Sequence, residues 1–411
     1  MNAPIRIAKV AAVQGLQYVL PLLLLPLVAG WLGLVEFGRL FWFVSAFTLV
    51  NAASGFGLEW SGTRSLSAPD AHGSNWGLTV ATLLRLRLVV ALTALGLLWL
   101  ALLLSRDGRL GPEDLALMAL LTLDSLASAR YPNFAFFALG RAGRAAGIQL
   151  EGRLILAAVV LAASFLGQFA VWTYPMGMAL GSCWVALRSM RWLRRQPAWA
   201  GPYAVEWAAL IARAREGLPF FGITLLSLGY TTANVLVVNA LSSPAELGYF
   251  TASSKLVVAL NSIFIGAVGS VLFRDRLAAA SSDRAAVHRS SWLSVGLLGL
   301  IIGLGLSFGA DFAIRTYYGP EFAPAAASLK VLAWIPLCVG LSNVLGLQGL
   351  SALNRERWLY LPVLLALGLS VAANVLWTPT WGAYGASLAW LMAELLLLLG
   401  SALLYRRFSR S

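Results

Sequence analysis

Four ionisable side chains stand inside long apolar runs of this sequence: Asp124, Arg130, Lys255 and Glu394. If those runs cross a bilayer, each charge is costly there, and such residues usually face a cavity or a partner. Lys255 is the strongest binding candidate, because it lies on a polar stripe within its run. A buried cation suits an anionic ligand such as a diphosphate, so the sequence predicts an anion-binding lysine at this position.

The other three ionisable residues each allow two interpretations. Arg130 lies beside Pro132 and Asn133, where a broken helix would open backbone groups to a ligand. Its long side chain could equally snorkel to the lipid headgroups. Asp124 and Glu394 are candidates for ion coupling, because removal from water favours the neutral form of a carboxyl and so allows proton uptake. A buried pair or a permanently protonated acid is the alternative for both.

Amides and hydroxyls recur at helical spacing in the first two apolar runs of each half of the chain. In the seventh run Ser227, Thr231 and Asn234 are four and three residues apart, which places them on one helix face. The pattern predicts one wet substrate cleft whose candidate lining residues are Lys255, Arg130, Gln14, Gln17, Asn51, Ser227, Thr231 and Asn234. The alternative is that these groups join packed helices through hydrogen bonds.

Groups for catalysis or metal binding are scarce. The two histidines, His72 and His288, fall in loops, and the two cysteines, Cys183 and Cys338, fall inside apolar runs. No cluster has the spacing of a metal site, and no Gly-Lys-Ser/Thr loop could hold a nucleotide phosphate. The sequence therefore predicts no catalytic residue, no metal and no cofactor, and a protein that is not an enzyme.

Composition identifies the environment in which these residues must be positioned. Hydrophobic residues make up 59% of the 411 positions and charged residues 11%, whereas a soluble domain carries charge at about a quarter. Many apolar runs reach the roughly 20 residues that a helix needs to cross a bilayer. We therefore expect an all-α integral membrane protein with about twelve transmembrane helices, near residues 10–32, 40–58, 80–104, 114–137, 148–167, 170–190, 218–240, 248–272, 291–313, 326–348, 359–377 and 382–404.

The basic residues are distributed unevenly between the predicted loops. When a residue near the end of a span is counted with the adjoining loop, 23 of the 30 Lys and Arg residues fall on the side of the two termini, five fall on the opposite side, and Arg130 and Lys255 lie within spans. This is the positive-inside pattern, so we expect both termini in the cytoplasm. The net charge of +13 follows from this topology and does not indicate nucleic-acid binding.

An internal repeat divides the chain. Glu36-Phe37-Gly38 in the first half corresponds to Glu246-Leu247-Gly248 in the second, at an offset of 210 residues. Six spans in each half make the repeats parallel, a design in which the substrate path lies between the halves. We expect a six-helix lobe over 1–190, a cytoplasmic amphipathic linker over 191–217, and a second, pseudo-symmetric six-helix lobe over 218–411.

Several motifs match a known family. They are Leu24-Leu25-Pro26-Leu27, Glu36-Phe37-Gly38, Gly55-Phe56-Gly57-Leu58, Arg215-Glu216-Gly217-Leu218-Pro219-Phe220-Phe221, Leu247-Gly248-Tyr249-Phe250, Tyr318-Gly319-Pro320-Glu321-Phe322 and Gly382-Ala383-Tyr384-Gly385-Ala386. With these motifs, nearly the whole chain resembles the polysaccharide-repeat (O-antigen, Wzx-type) flippases of the multidrug/oligosaccharidyl-lipid/polysaccharide exporter superfamily.

The resemblance implies a MATE-like bundle of two six-helix lobes that works by alternating access. It implies an undecaprenyl-diphosphate-linked oligosaccharide as substrate, moved from the cytoplasmic to the periplasmic leaflet of a bacterial inner membrane for cell-surface polysaccharide biosynthesis. The expected partners are this lipid-linked oligosaccharide and membrane lipids, and an association with the polysaccharide polymerase machinery is compatible with the resemblance.

Two other functions stay open. A drug or small-metabolite antiporter of the same fold would be favoured by an aromatic, acid-lined cleft, whereas the predicted cleft holds hydroxyls, amides and a cation. A membrane glycan polymerase or ligase typically needs a large periplasmic loop. The longest such loop predicted here, near residues 314–325, is too short to hold a substrate domain.

Overall fold

The computed structural model describes residues 3–67, 76–105, 110–197, 199, 203–278, 284–352 and 355–408. Within these ranges the chain is helical and contains no strand, which confirms the all-α prediction. A helix satisfies its own backbone hydrogen-bonding groups, and this is why apolar runs of membrane length adopt it.

The described part of the first half contains seven helices. They are α1 (Ala3–Gly55), α2 (Leu58–Leu66), α3 (Trp76–Ser105), α4 (Pro112–Ala129), α5 (Asn133–Ala138), α6 (Ala142–Phe165) and α7 (Thr173–Arg194). The short helices α2 and α5 do not reach membrane length, and the other five have 18 residues or more.

The described part of the second half also contains seven α-helices. They are α8 (Trp207–Leu241), α9 (Pro244–Ala278), α10 (Arg284–Tyr317), α11 (Ala325–Leu332), α12 (Ile335–Ser342), α13 (Gly349–Ala352) and α14 (Tyr360–Phe408). A π-helical turn (Asn343–Gln348) joins α12 to α13, and 3-10 turns occupy Pro320–Phe322 and Glu356–Leu359.

Two helices are broken at a glycine. α1 changes direction at Gly33, whose φ is 69°, and α14 does so at Gly382, whose φ is 53°. A positive φ costs glycine little, because it has no Cβ to clash with the backbone. Each broken helix therefore covers two of the predicted spans, so the described segments match the twelve-helix prediction.

Six stretches of the described chain are long and apolar enough to cross a membrane. They are Val19–Gly55, Trp76–Leu104, Ala142–Phe165, Trp292–Tyr317, Ala325–Gly346 and Arg357–Phe408. Two of the six contain a glycine break and are long enough for two crossings each. The chain is thus a multi-pass membrane protein.

Some segments differ from the expected spans. The fourth span, expected to run to residue 137, ends at Ala129, because Pro132 has no N–H to continue the helix and disfavours helical backbone before it. The tenth span consists of α11, α12, the π-helical turn and α13 instead of one helix. Residues from Trp207 onward, expected in the linker, belong to the continuous helix α8.

The chain forms two compact units. Unit 1 contains Met1–Leu24 and Phe43–Leu228, and unit 2 contains Leu25–Trp42 and Gly229–Ser411. Within unit 1, α6 and α7 approach through Gly152 and Gly181, where a Cβ on either glycine would meet the backbone of the other. Unit 2 includes the middle section of α1, which packs against α9.

Candidate functional site

Lys255 in unit 2 is half-buried in the interior of α9. Its Nζ lies 4.8 Å from the centroid of the Phe41 ring, the geometry of a cation–π contact. Among the described residues no carboxylate forms an ion pair with it. One turn earlier on the same helix face, the Thr251 hydroxyl is buried without a hydrogen-bond partner in the described part of the chain. Lys255 therefore offers a positive charge to an anionic ligand.

Phe41 belongs to a cluster of four aromatic residues, which we call the aromatic platform. Its members are Phe37, Phe41, Tyr318 and Phe322. The Phe37 ring lies 4.8 Å from Phe41 and meets both Tyr318 and Phe322 edge-on at 5.6 Å. Edge-on and tilted rings at such distances attract each other. The Tyr318 hydroxyl also donates to the carbonyl oxygen of Ala252 on α9 at 3.2 Å. The platform thus fixes the ring face beneath Lys255.

The two repeat motifs meet beside this platform. A Cβ added to Gly38 would lie 2.8 Å from the backbone nitrogen of Gly248, and one added to Gly248 would lie 2.5 Å from the Leu34 carbonyl oxygen. Only glycine at both positions permits this backbone-to-backbone approach of α1 and α9. The two motifs of the internal repeat, Glu36-Phe37-Gly38 and Glu246-Leu247-Gly248, therefore pack against each other in unit 2.

Carboxylates cap both helix breaks of unit 2. The backbone N–H of Leu34, just after Gly33, donates to Glu321 Oε1 at 3.3 Å. The N–H of Ala383, just after Gly382, donates to Glu246 Oε2 at 2.7 Å. A break leaves backbone N–H groups without helical acceptors, and these acids supply them.

Asn234, predicted to line a cleft, is fully buried between α8 and α14. Its Oδ1 accepts bonds from Asn374 Nδ2 at 2.7 Å and Ser370 Oγ at 3.3 Å, and Asn374 Oδ1 accepts from Thr378 Oγ1 at 3.0 Å. This arrangement joins two helices and corresponds to the packing alternative for the polar stripe. The side chains of Ser227 and Thr231 lie outside the described residues.

Glu394 is buried in α14, one turn beyond Trp390. The indole Nε1 of Trp390 donates to Glu394 Oε1 at 3.3 Å. The predicted coupling acid of unit 2 therefore accepts a hydrogen bond from a tryptophan of its own helix.

Unit 1 contains a second polar centre, the acid site, formed by Asp124 of α4, Ser182 of α7 and Asn51 of α1. Ser182 Oγ donates to Asp124 Oδ1 at 2.5 Å, and Asn51 Nδ2 donates to Asp124 Oδ2 at 3.4 Å. Asp124 is buried, with Arg153 and Tyr174 as ionisable neighbours. The structure thus brings together two predicted residues, a coupling acid and a cleft amide, and adds a serine that the sequence did not single out.

The remaining predicted residues lie elsewhere in unit 1. Gln17 Nε2 donates to the carbonyl oxygen of Ala146 on α6 at 2.7 Å, a packing contact. The side chain of Gln14 lies outside the described residues. Arg130 follows the end of α4 and is exposed, and it lines a groove with Arg85 and Arg194.

Sequence reasoning missed Phe41, Ser182 and the acids that cap the helix breaks. Phe41 follows Glu36-Phe37-Gly38 by three residues, so the motif pointed to its neighbourhood but not to its contact with Lys255. Ser182 carried no periodic signal, because it is bracketed by Gly181 and Cys183 in a run of small residues.

In the described residues no group of three His, Cys, Asp or Glu side chains could hold a metal ion.

Comparison with solved structures identifies the fold. The lipid II flippase MurJ in an inward closed conformation has a TM-score of 0.71 and 13% sequence identity, over 97% of this chain and 87% of that one. An inward-facing multidrug resistance MATE family transporter of the MOP superfamily has a TM-score of 0.73 and 14% identity, over 97% and 98%. At such identities the likeness shows a shared fold and nothing more.

Comparison of sequences identifies the family. A candidate O-antigen transporter of Escherichia coli (strain K12) is 25% identical over 152 residues, which are 36% of this chain and 36% of that relative. The match thus spans about a third of the length of the relative (36%). The family model described as "Polysaccharide biosynthesis protein" matches residues 7–273 of this chain. That match covers well over half of the sequence, and the chain therefore belongs to the polysaccharide biosynthesis protein family.

Proposed function

We propose that the protein is a flippase for an undecaprenyl-diphosphate-linked oligosaccharide. It carries this lipid from the cytoplasmic to the periplasmic leaflet by alternating access and so serves cell-surface polysaccharide biosynthesis. The observation that carries the proposal is Lys255, a lysine inside a membrane helix that rests on an aromatic ring and has no carboxylate partner among the described residues. Membership of the polysaccharide biosynthesis family supports the substrate class.

A diphosphate supplies what Lys255 lacks. An ammonium group has three hydrogen-bond donors and no acceptor, and the Phe41 ring attracts its charge without supplying a strong acceptor. Phosphate oxygens accept charge-assisted hydrogen bonds, which are about twice as strong as neutral ones. A lysine held in this way is suited to bind the diphosphate when the lipid enters and to release it afterwards.

The same lysine argues against a cationic-drug antiporter, the alternative of the same fold. A cationic drug would be repelled by Lys255 unless a carboxylate neutralised it, and no described carboxylate is paired with it. A glycan polymerase or ligase is disfavoured for another reason. The segment between α10 and α11 holds only one 3-10 turn, which leaves no room there for a substrate domain.

We propose a topology with both termini in the cytoplasm of a bacterial cell, in its inner membrane, as the distribution of basic residues favours. Cysteine labelling in intact cells tests it. Single cysteines at Arg195 and Arg407 should be protected from a membrane-impermeant reagent, and one at Glu321 should be labelled. Any of the three with the opposite behaviour would overturn the orientation.

The flippase function is tested with purified protein in vesicles that contain a fluorescent undecaprenyl-diphosphate-linked oligosaccharide. Wild-type protein should speed its appearance in the opposite leaflet. Lys255→Ala should lower the rate at least tenfold, since a charge-assisted bond contributes about 1.5–3 kcal/mol. Lys255→Arg should retain much of the activity, because the guanidinium keeps the charge.

A matched control is available in the same unit. Lys330 is exposed and forms an ion pair with Asp311 at 2.6 Å, so Lys330→Ala removes a lysine that already has a partner. We expect it to flip the lipid like the wild type. Equal activity of Lys255→Ala and Lys330→Ala would show that Lys255 does not bind the substrate. Wild-type vesicles that transport a fluorescent cationic drug but not the lipid would overturn the flippase function itself.

A further inference from the structure

A groove in unit 1 has a charged end and an apolar end. It has a volume of about 860 Å³ and is bounded by α3, α4, α7 and the residues that follow α7. Three arginines line it: Arg85 of α3, Arg130 just after α4, and Arg194 in the last turn of α7. Its size falls within the range of sites that hold a single ligand, about 300–1,000 Å³. We call this cavity the arginine groove.

The three arginines lie toward one end of the groove, from which α3 leads away and at which α4 and α7 end. α3 continues from Arg85 with leucines three and seven residues later, and α4 reaches Arg130 from leucines four and seven residues earlier. Residues three, four and seven apart share a helix face, so each helix presents a leucine row that leads away from its arginine over roughly 10 Å. The leucines of the groove are Leu84, Leu88, Leu92, Leu123, Leu126 and Leu187.

The charge at the arginine end is not neutralised by the described protein. Arg85 donates only a long bond, 3.4 Å, to the carbonyl oxygen of Val205, and none of the three arginines forms an ion pair with a described carboxylate. Three guanidinium groups around one opening repel each other unless an anion lies between them. An anion with an apolar tail would satisfy both ends of the groove.

We infer that the arginine groove binds one anionic phospholipid, with its phosphate among the three arginines and an acyl chain along the leucine rows. Basic pockets between transmembrane helices on the cytoplasmic side are suited to anionic headgroups. A free phosphate would leave the leucine rows uncovered, and a zwitterionic lipid would bring a second cation to the arginines. Arg130 and Arg194 lie where α4 and α7 end, and Arg85 lies in the third turn of α3, so the phosphate would lie toward the end of the groove where α4 and α7 end.

The bound lipid also joins the segment after α7 to the helix bundle. Trp199 and Tyr203 line the same groove, and their rings meet edge-on at 5.3 Å. Tryptophan and tyrosine favour the headgroup level, where one part of the ring is apolar and the other meets water. A lipid in the groove would contact α3, α4, α7 and this segment together, and so stabilise unit 1.

Native mass spectrometry of the full chain in detergent tests the proposal, with dioleoyl phosphatidylglycerol and dioleoyl phosphatidylcholine as probes. We expect one phosphatidylglycerol to bind with a Kd at least tenfold below that of phosphatidylcholine. Arg85→Gln, Arg130→Gln and Arg194→Gln should each weaken phosphatidylglycerol binding about fivefold, from about 1 kcal/mol per arginine near a membrane surface. Glycerol phosphate, which lacks the chains, should not compete at equal concentration.

A triple variant with the same loss of charge provides the control. Arg144→Gln, Arg191→Gln and Arg195→Gln remove three arginines at the same end of α6 and α7 that lie outside the groove. We expect this control to bind phosphatidylglycerol like the wild type. The variant to compare combines Arg85→Gln, Arg130→Gln and Arg194→Gln in one protein. Equal weakening by this groove triple and the control triple would reduce the effect to net charge and overturn the site, as would an unchanged Kd in the groove triple.

Two further experiments distinguish phospholipid binding from binding of the substrate and from loss of folding. Undecaprenyl diphosphate that displaced phosphatidylglycerol at equal concentration would assign the groove to the substrate instead. Leu92→Trp and Leu123→Trp fill the apolar end without changing the charge, and we expect each to weaken phosphatidylglycerol binding with an unchanged Tm in lipid-free detergent. A wild-type Kd in both would overturn the acyl-chain part of the proposal.

Discussion

The two units hold their buried ionisable groups by different means. In unit 1, Asp124 accepts one hydrogen bond on each oxygen, from Ser182 and from Asn51. In unit 2, Lys255 rests on the face of Phe41, which attracts the ammonium but leaves its N–H donors without a strong acceptor. Within the described residues the lysine has no carboxylate partner, whereas the acid is held by neutral donors.

This difference suggests separate roles. A carboxyl that is held by a serine and an amide can gain or lose a proton without the loss of an ion pair, which suits ion coupling. A lysine that is held by a ring can exchange one anion for another, which suits a substrate that enters and leaves.

The largest effect is expected where α1 and α9 touch, because that contact holds the aromatic platform under Lys255. Gly38→Val should prevent recovery of folded protein, and Gly38→Ala should destabilise it by about 1–3 kcal/mol through overpacking. Gly30→Ala is the matched control in the same helix, since a Cβ there meets nothing within 4 Å. It should leave stability unchanged or raise it by up to about 1 kcal/mol. Thermal unfolding in detergent measures all three, and equal Tm values for the two alanine variants would contradict the close contact.

The next effect concerns Asp124 and transport driven by a gradient. Asp124→Asn keeps the size of the side chain, and its amide oxygen can still accept the bond from Ser182, but it fixes the group in an uncharged form. We expect vesicles with this variant to bind the lipid-linked oligosaccharide but to lose the response of flipping to an imposed pH gradient.

Glu394→Gln is the matched change in unit 2, where Glu394 is bonded within its own helix. We expect this variant to respond to the gradient like the wild type. A normal response in Asp124→Asn would exclude the acid site from coupling. A wild type that ignores both proton and sodium gradients would indicate that downstream use of the flipped lipid drives transport.

A smaller effect is expected at the ring beneath Lys255. Phe41→Leu removes the cation–π contact, which contributes about 0.5–2 kcal/mol. Binding should weaken, so the Kd for undecaprenyl diphosphate should rise about 2- to 30-fold. Phe41→Tyr retains the ring and should bind like the wild type. Titration of folded, purified protein measures both, and equal binding by the leucine and tyrosine variants would show that the ring does not position Lys255.

The sequence predicted the fold well, because length and hydropathy alone decide which runs can cross a bilayer. It also singled out Lys255 and Asp124 as candidates, since a charge in such a run is rare, and their roles remain predictions. It could not predict their partners. Phe41 and Lys255 are far apart in the chain, as are Asp124 and Ser182, and helical periodicity relates only residues on one helix. The same limit explains why Asn234, on a clear polar stripe, turned out to bond Asn374 and Ser370 within the helix bundle.

The smallest effect is expected at Ser182, and it tests the protonation state of the acid site. If Asp124 is neutral in the resting protein, Ser182→Ala should cost about 0.5–1.5 kcal/mol, the worth of an ordinary hydrogen bond. An ionised Asp124 would raise the cost to about 1.5–3 kcal/mol, because hydrogen bonds to charged groups are stronger. Ser61→Ala is the control, since in the described part of the chain Ser61 Oγ donates to the Gly57 carbonyl four residues earlier, at 3.3 Å. Unfolding measured again in the Asp124→Asn background completes the comparison. We expect Ser182→Ala to cost the same with aspartate or asparagine at position 124. A clearly smaller cost beside asparagine would mean that Asp124 is ionised at rest, and it would then bind its proton only during transport.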